Sequence, residues 1–192
     1  HDAKEYGSIL NIPQRKYDEM LAYVDGLWGN QQNNIFFANW LGTLKDKLPQ
    51  LVKQAKIMIA CYDVVVTNPP YLGISNMNTD FIEHITSKYD SYKHDICCIF
   101  IKRCNEYLKI SGYQAMITQQ AFLFNSRYKL TRANIIRDLS FTSLLHLGAH
   151  AFDEISGEKV QVASFIATNQ IDKYKSIFID VTMPKSESDK IA

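Results

Sequence analysis

Asp63-Val64-Val65-Val66-Thr67-Asn68-Pro69-Pro70-Tyr71 is the stretch on which the reading of this chain turns. A continuous β-branched run this short, apolar on both faces, predicts a buried parallel strand. Asn68, Pro69 and Pro70 end it at once. In an open α/β sheet, ligands bind outside the carboxyl ends of the strands, so Asn68 to Tyr71 stands at the functional edge. Two consecutive prolines, with fixed φ and no amide hydrogen, hold the chain extended. They pin the Asn68 side chain and leave the Pro69 carbonyl free to accept. Two neighbouring acceptors match an exocyclic amino group, which offers two N–H donors. The Tyr71 ring beside them matches a planar base. The same tetrapeptide also makes a plain rigid turn with Tyr71 packed, but its position directly after a Val-Val-Val run favours the chemical reading.

Downstream, Ile96, Ile99, Phe100, Arg103 and Tyr107 predict an amphipathic helix closed by Ser111-Gly112. Strands are expected at Tyr113–Thr118, Ser143–Leu147 and Val160–Ala167, a possible fifth at Ile177–Val181, and a helix at Tyr128–Leu139. This alternation is the grammar of a parallel sheet covered by helices. The segment Gly148–Lys159 lacks a helix pattern and is too irregular for a standard crossover, so Val160–Ala167 is expected antiparallel, inserted between the second and third strands.

Upstream, Tyr17, Met20, Leu21, Val24 and Trp28 repeat at helical spacing. A second helical pattern runs from about Gln32 to Ile59 and is expected to break at Pro49. The expected organisation is a mainly helical segment over 1–61, an α/β part over 62–182 and a loose polar tail over 183–192.

The whole is 192 residues, the size of one domain with small appendages. At 46% hydrophobic and 21% charged it is neither a disordered tail nor a fibrous repeat. Its apolar runs are too short to span a bilayer. The net charge of +1 means that any basic surface toward a nucleic acid is local. Lys88, Lys93, Arg127, Lys129, Arg132 and Arg137 scatter around the loops at the carboxyl edge and the helices they enter. Arg127 and Lys129, just past the second strand, are candidates to touch phosphate or simply to solvate a helix start. Cys61, Cys97, Cys98 and Cys104 show no zinc spacing and read as reduced thiols of a cytoplasmic protein. His146 and His150 sit at a strand end and not on a helix face, so no metal site is expected.

The segment Asp63–Tyr71 resembles the catalytic motif of the amino-group DNA methyltransferases, in the adenine-N6 branch. Further segments follow in the family's order: Asp95 to Phe100 with Leu108 and Gly112, Tyr113 to Gln120, Leu145 to Ala149, Phe152 to Glu158, and Val160 to Ile166. Their wording is similar to the large adenine methyltransferases of phage-defence (BREX) and type IIG restriction-modification systems. The resemblance covers roughly Tyr62 to Thr168. It implies a partial Rossmann-like methyltransferase sheet, mostly parallel with one antiparallel strand. It also implies methyl transfer from S-adenosylmethionine to adenine N6 in a base flipped out of double-stranded DNA. Asn68, Pro69, Pro70 and Tyr71 then form the catalytic motif. Tyr71 and Phe152 are implied to stack on the target base, and Phe100 and Asp95 to lie near the cofactor. Loop packing remains open for Phe152, core packing for Phe100 and helix capping for Asp95.

The family's Gly-rich cofactor loop has no counterpart upstream of Asp63, where Gly7, Gly26, Gly29 and Gly42 are isolated. The chain is therefore expected to be a fragment of a longer protein and to bind the cofactor weakly or not at all by itself. The strand at Val64–Thr67 would then lose its usual neighbour, and its exposed edge would invite a homodimer or coverage by the amino-terminal helices. A non-enzymatic Rossmann-like module that binds nucleic acid or protein is the alternative reading.

Overall fold

The computed structural model describes residues 7–28, 35–149, 151, 161–170 and 175–182. The chain divides into two compact units, residues 1–60 and 61–192.

The first unit pairs two helices, α1 (Tyr17–Trp28) and α2 (Ile35–Ile59), preceded by a 3-10 turn at Gly7–Ile9. Ile9, Val24, Leu41 and Val52 form its buried core. The expected break at Pro49 does not occur: α2 runs unbroken through it for 25 residues. Proline removes one amide donor and crowds the carbonyl four residues back. Here Pro49 and Lys45 both lie on the exposed face of the helix.

The second unit is an α/β layer. Its elements are β1 (Tyr62–Thr67), α3 (Thr79–Tyr89), α4 (Ile96–Glu106), β2 (Leu108–Gln119), α5 (Ala121–Phe124), α6 (Lys129–Asp138), β3 (Ser140–Gly148), β4 (Val162–Thr168) and β5 (Ile177–Asp180). The strand order is β1-β2-β4-β3-β5. β1 pairs parallel with β2 and β3 with β5, while β4 runs antiparallel between β2 and β3. This is the α/β class and the inserted antiparallel strand that the sequence led us to expect. Residue 160, the rest of the connection at 150 and 152–159, and the tail at 183–192 lie outside the described residues.

Residues paired across strands share a face. Met116, Phe165 and Leu144 align across β2, β4 and β3 and are buried, on the face where α4 packs against β2. Val66, Ala115, Ile166, Ser143 and Ile177 align on the opposite face. There Val66 is 73% and Ile166 42% exposed. The expectation of a strand buried on both faces is thus corrected for β1. Among the described residues it stands at the sheet edge with one neighbour, and its Val64 and Val66 face away from α4.

Three elements differ locally from expectation. The helix α4 closes at Glu106 with Tyr107 as its cap, and not at Ser111-Gly112. Those two residues belong to an extruded bulge inside β2. Leu108 pairs with Tyr62 and Tyr113 with Val64, so Lys109 to Gly112 are looped out. Ser111 takes the left-handed conformation, φ 62°, and a Cβ at Gly112 would meet the Lys109 carbonyl oxygen at 2.9 Å. The second difference is that β3 begins at Ser140, three residues early. The third is that α3 was not anticipated, although Asn78 caps it by accepting from the Phe81 amide at 2.7 Å. Phe81, Ile85 and Tyr89 bury its inner face. Among the described residues no helix is long and apolar enough to cross a membrane.

Candidate active site

Asn68 to Tyr71 leave the carboxyl end of β1, as the sheet grammar requires. The chain then runs to an isolated antiparallel bridge between Gly73 and Asp95. The Ile96 amide donates to the Leu72 carbonyl at 3.0 Å, and the Ile74 amide to the His94 carbonyl at 3.1 Å. The Cys97 thiol donates to the Pro70 carbonyl at 3.5 Å. The motif is therefore held from behind by the start of α4 and does not rest on proline stiffness alone.

What the motif leaves unspent matters for its chemistry. Asn68 is exposed. Among the described residues neither its side chain nor the Pro69 carbonyl makes a hydrogen bond. Both acceptors point to no internal partner, whereas the Pro70 carbonyl is occupied. Pro69 is buried and Tyr71 half-buried. The Tyr71 hydroxyl is enclosed and has no hydrogen-bond partner among the described residues. Burial, then proximity to Cys97, raises its pKa, so it stays neutral.

Asp95 is 4% exposed and serves as the N-cap of α4, accepting from the Cys97 amide at 2.9 Å. Burial raises its pKa against the lowering effect of hydrogen bonds from Cys97. Burial likewise pushes the Cys97 and Cys98 thiols up, and Cys104 to about 12. Phe100 is half-buried on α4, between the fully buried Ile99 and Ile101. The structure brings Asn68, Pro69, Pro70, Tyr71 and Asp95 together at one edge. Phe152 lies outside the described residues.

Two polar groupings at this edge escaped the sequence reading. Arg127 Nε donates to His94 Nδ1 at 3.2 Å, and the His94 ring stands edge-on to Tyr128, centroids 5.9 Å apart. Farther along, His146 Nε2 bonds Gln120 Oε1, Gln120 Nε2 bonds Gln161 Oε1, and His146 Nδ1 lies 3.5 Å from Asp180 Oδ1. That network ties together the ends of β2, β3, β4 and β5. Nothing local in the sequence signals either grouping, since the partners lie far apart along the chain. Of the basic residues, Lys93 pairs with Asp90 and Arg137 with Asp138, while Arg132 donates to the carbonyls of Phe122 and Asn125. Among the described residues no group of three or more His, Cys, Asp or Glu gathers to hold a metal ion.

Comparison with known proteins agrees with this architecture. Over 98% of its length the chain is 31% identical to the adenine-specific methyltransferase BrxX of Escherichia coli O9:H4 (strain HS), of which it spans 15%. Over 65% of its length it is 33% identical to the adenine-specific methyltransferase PglX of Lacticaseibacillus casei (strain Zhang), of which it spans 10%. The chain thus spans a small part of the curated relatives it matches. In fold it is similar, at a TM-score of 0.51 and 14% identity, to a Listeria monocytogenes protein described as a class I S-adenosylmethionine-dependent methyltransferase. That likeness covers 69% of this chain and 41% of the other. Residues 11–152 match the family model of the Eco57I restriction-modification methylases, and since that match takes in most of the chain, the chain belongs to this family.

Proposed function

We propose that this chain is the catalytic half of a DNA adenine-N6 methyltransferase of the phage-defence or restriction-modification kind, acting in the cytoplasm on double-stranded DNA. The observation that carries the reading is the pair of unspent acceptors, the Asn68 side chain and the Pro69 carbonyl, held at the end of a parallel strand beside the Tyr71 ring.

Adenine N6 is a poor nucleophile because its lone pair is delocalised into the ring. Accepting its two hydrogens at Asn68 and Pro69 draws density toward N6 and favours a tetrahedral nitrogen. The target atom cannot be aligned inside a duplex, so the base must leave the stack, and Tyr71 offers it a stacking face. S-adenosylmethionine, when bound, supplies the electrophilic methyl group. The residues here fit one end of such a cofactor. The half-buried Phe100 ring offers a face to an adenine, while Asp95 is enclosed and engaged as a helix cap, which supports the structural reading of Asp95. The main cofactor loop, in this proposal, belongs to the longer protein. A homodimer through the open edge of β1 accords with that strand having one partner among the described residues.

The test is transfer of labelled methyl groups from S-adenosylmethionine to duplex DNA by the full-length protein, with the product nucleoside identified. N6-methyladenine from the wild type and its loss in Asn68→Ala support the reading. DNA binding with no methyl transfer by the wild type would favour the non-enzymatic module.

A further inference from the structure

Arg127 differs from the other arginines of the second unit. Arg103 pairs with Glu106 and lies over the Tyr107 ring, Arg137 pairs with Asp138, and Arg132 is engaged by two carbonyls. Arg127 is exposed, has no carboxylate partner among the described residues, and spends only its Nε, on His94. Its outer guanidinium fork is left open. Yet it is not loosely held. Asn125 Oδ1 accepts from the Arg127 amide at 2.9 Å, fixing its backbone, and the His94 ring is braced by Tyr128. His94 in turn pairs through its carbonyl with Ile74, three residues past Tyr71.

The bond requires His94 to be neutral with its proton on Nε2, because Nδ1 accepts. The surroundings enforce this. Burial, then Arg127 and Lys93, lower the His94 pKa, and Asp90 opposes them weakly while engaged with Lys93. Asp95, the adjacent acid, is enclosed at the cap of α4. Lys129, exposed and without an ion pair among the described residues, adds a second positive charge at the start of α6. An oriented, desolvation-ready guanidinium fork with no internal acid is suited to a tetrahedral oxyanion.

We propose that Arg127 contacts a backbone phosphate of the DNA strand flanking the target base, and that His94 is the residue that positions it. This rests on the methyltransferase reading above. Phosphate contacts set the register of a protein on DNA without reading sequence, which is what a catalytic motif needs beside it.

The test uses the full-length protein and duplex DNA, with affinity measured across a salt series. Arg127→Ala should weaken binding equally on duplexes with and without the methylation site, and should reduce the magnitude of the slope of log K against log salt by about 1. His94→Leu should reproduce that change. His94→Asn, whose side-chain oxygen replaces the Nδ1 acceptor, should restore it, and His94→Leu added to Arg127→Ala should cost nothing further. An unchanged salt slope in Arg127→Ala overturns the proposal, as does His94→Asn failing as badly as His94→Leu. A rise in the KM for S-adenosylmethionine with DNA binding intact would assign the anion to the cofactor carboxylate and also overturn it. Asn68→Ala run alongside separates the two readings. If it abolishes methyl transfer while Arg127→Ala leaves the salt slope alone, only the phosphate contact is wrong.

Discussion

The sulfur of Cys97 lies 3.5 Å from the carbonyl oxygen of Pro70, joining the first turn of α4 to the backbone of the proposed catalytic motif. The thiol is buried and stays protonated, so it is a lasting donor. Cys97→Ala removes both the bond and the packed sulfur. We expect a loss of roughly 1–3 kcal/mol of stability, and a lower kcat with little change in cofactor affinity. Cys97→Ser keeps a donor and should recover part of the rate. Chemical denaturation beside methylation kinetics checks both, and equal rates in Ala and Ser would deny the bond any role in alignment.

Asn68 and Tyr71 should fail in different ways. Asn68→Ala should cost about 10²–10³ in rate, the usual effect of losing one oriented electrostatic contact. Tyr71→Ala should cost roughly 1–3 kcal/mol of base stacking. Tyr71→Phe keeps the ring and deletes a buried hydroxyl that has no partner, so it should be mild in rate and neutral or favourable in stability. A substrate mismatched at the target adenine makes flipping cheaper. It should rescue Tyr71→Ala in part and Asn68→Ala not at all.

Asp95 gives a pH dependence of definite sign. Its folded-state pKa is raised above the ordinary 3.8 by burial. In the window just above 3.8 the folded state therefore holds more protons than the unfolded one, and this residue's contribution to stability falls as pH rises through that window. Asp95→Asn keeps the capping acceptor and removes the charge. It should equal or exceed wild type at neutral pH, with the advantage shrinking as pH falls toward 3.8. Asp95→Ala loses the cap and should cost about 1 kcal/mol. Urea midpoints of the three proteins over a pH series measure this.

Thiol chemistry should separate one cysteine from three. Cys61 is exposed, whereas Cys97, Cys98 and Cys104 are buried with raised pKa values. The thiolate is the reactive form. Brief alkylation of the native protein followed by peptide mapping should label Cys61 heavily and the other three only after denaturation. Early labelling of Cys97 would mean that the start of α4 opens and releases Pro70.

The strand at Val64–Thr67, the edge position of Asn68–Tyr71 and the antiparallel β4 were legible because each is written in contiguous residues. β-Branched runs cut off by proline or glycine carry their own backbone preference, and the stretch after Gly148 lacks the sequence pattern of a crossover helix. Pro49 misled because the cost of a proline depends on which way the helix faces, and here it lies on the exposed face of an unbroken helix. The end of α4 misled because Ser111-Gly112 resembles a helix stop, while the pairing of Leu108 with Tyr62 draws those residues into a bulge of β2. The edge position of β1 was expected, but the exposure of Val64 and Val66 was invisible in a run that is apolar throughout, since only the packing of helices on the sheet says which face is covered. The contacts around the motif belong wholly to the tertiary structure. Cys97 to Pro70, Arg127 to His94 and Gln120 to His146 are separated by 27, 33 and 26 residues. The amino-acid order determined which strands and helices form and placed the motif at a strand end. Only the packing of helix starts and strand ends along one edge decided which polar groups were satisfied there and which acceptors stayed free, because a hydrogen bond depends on distance in space and local sequence patterns encode only neighbours along the chain.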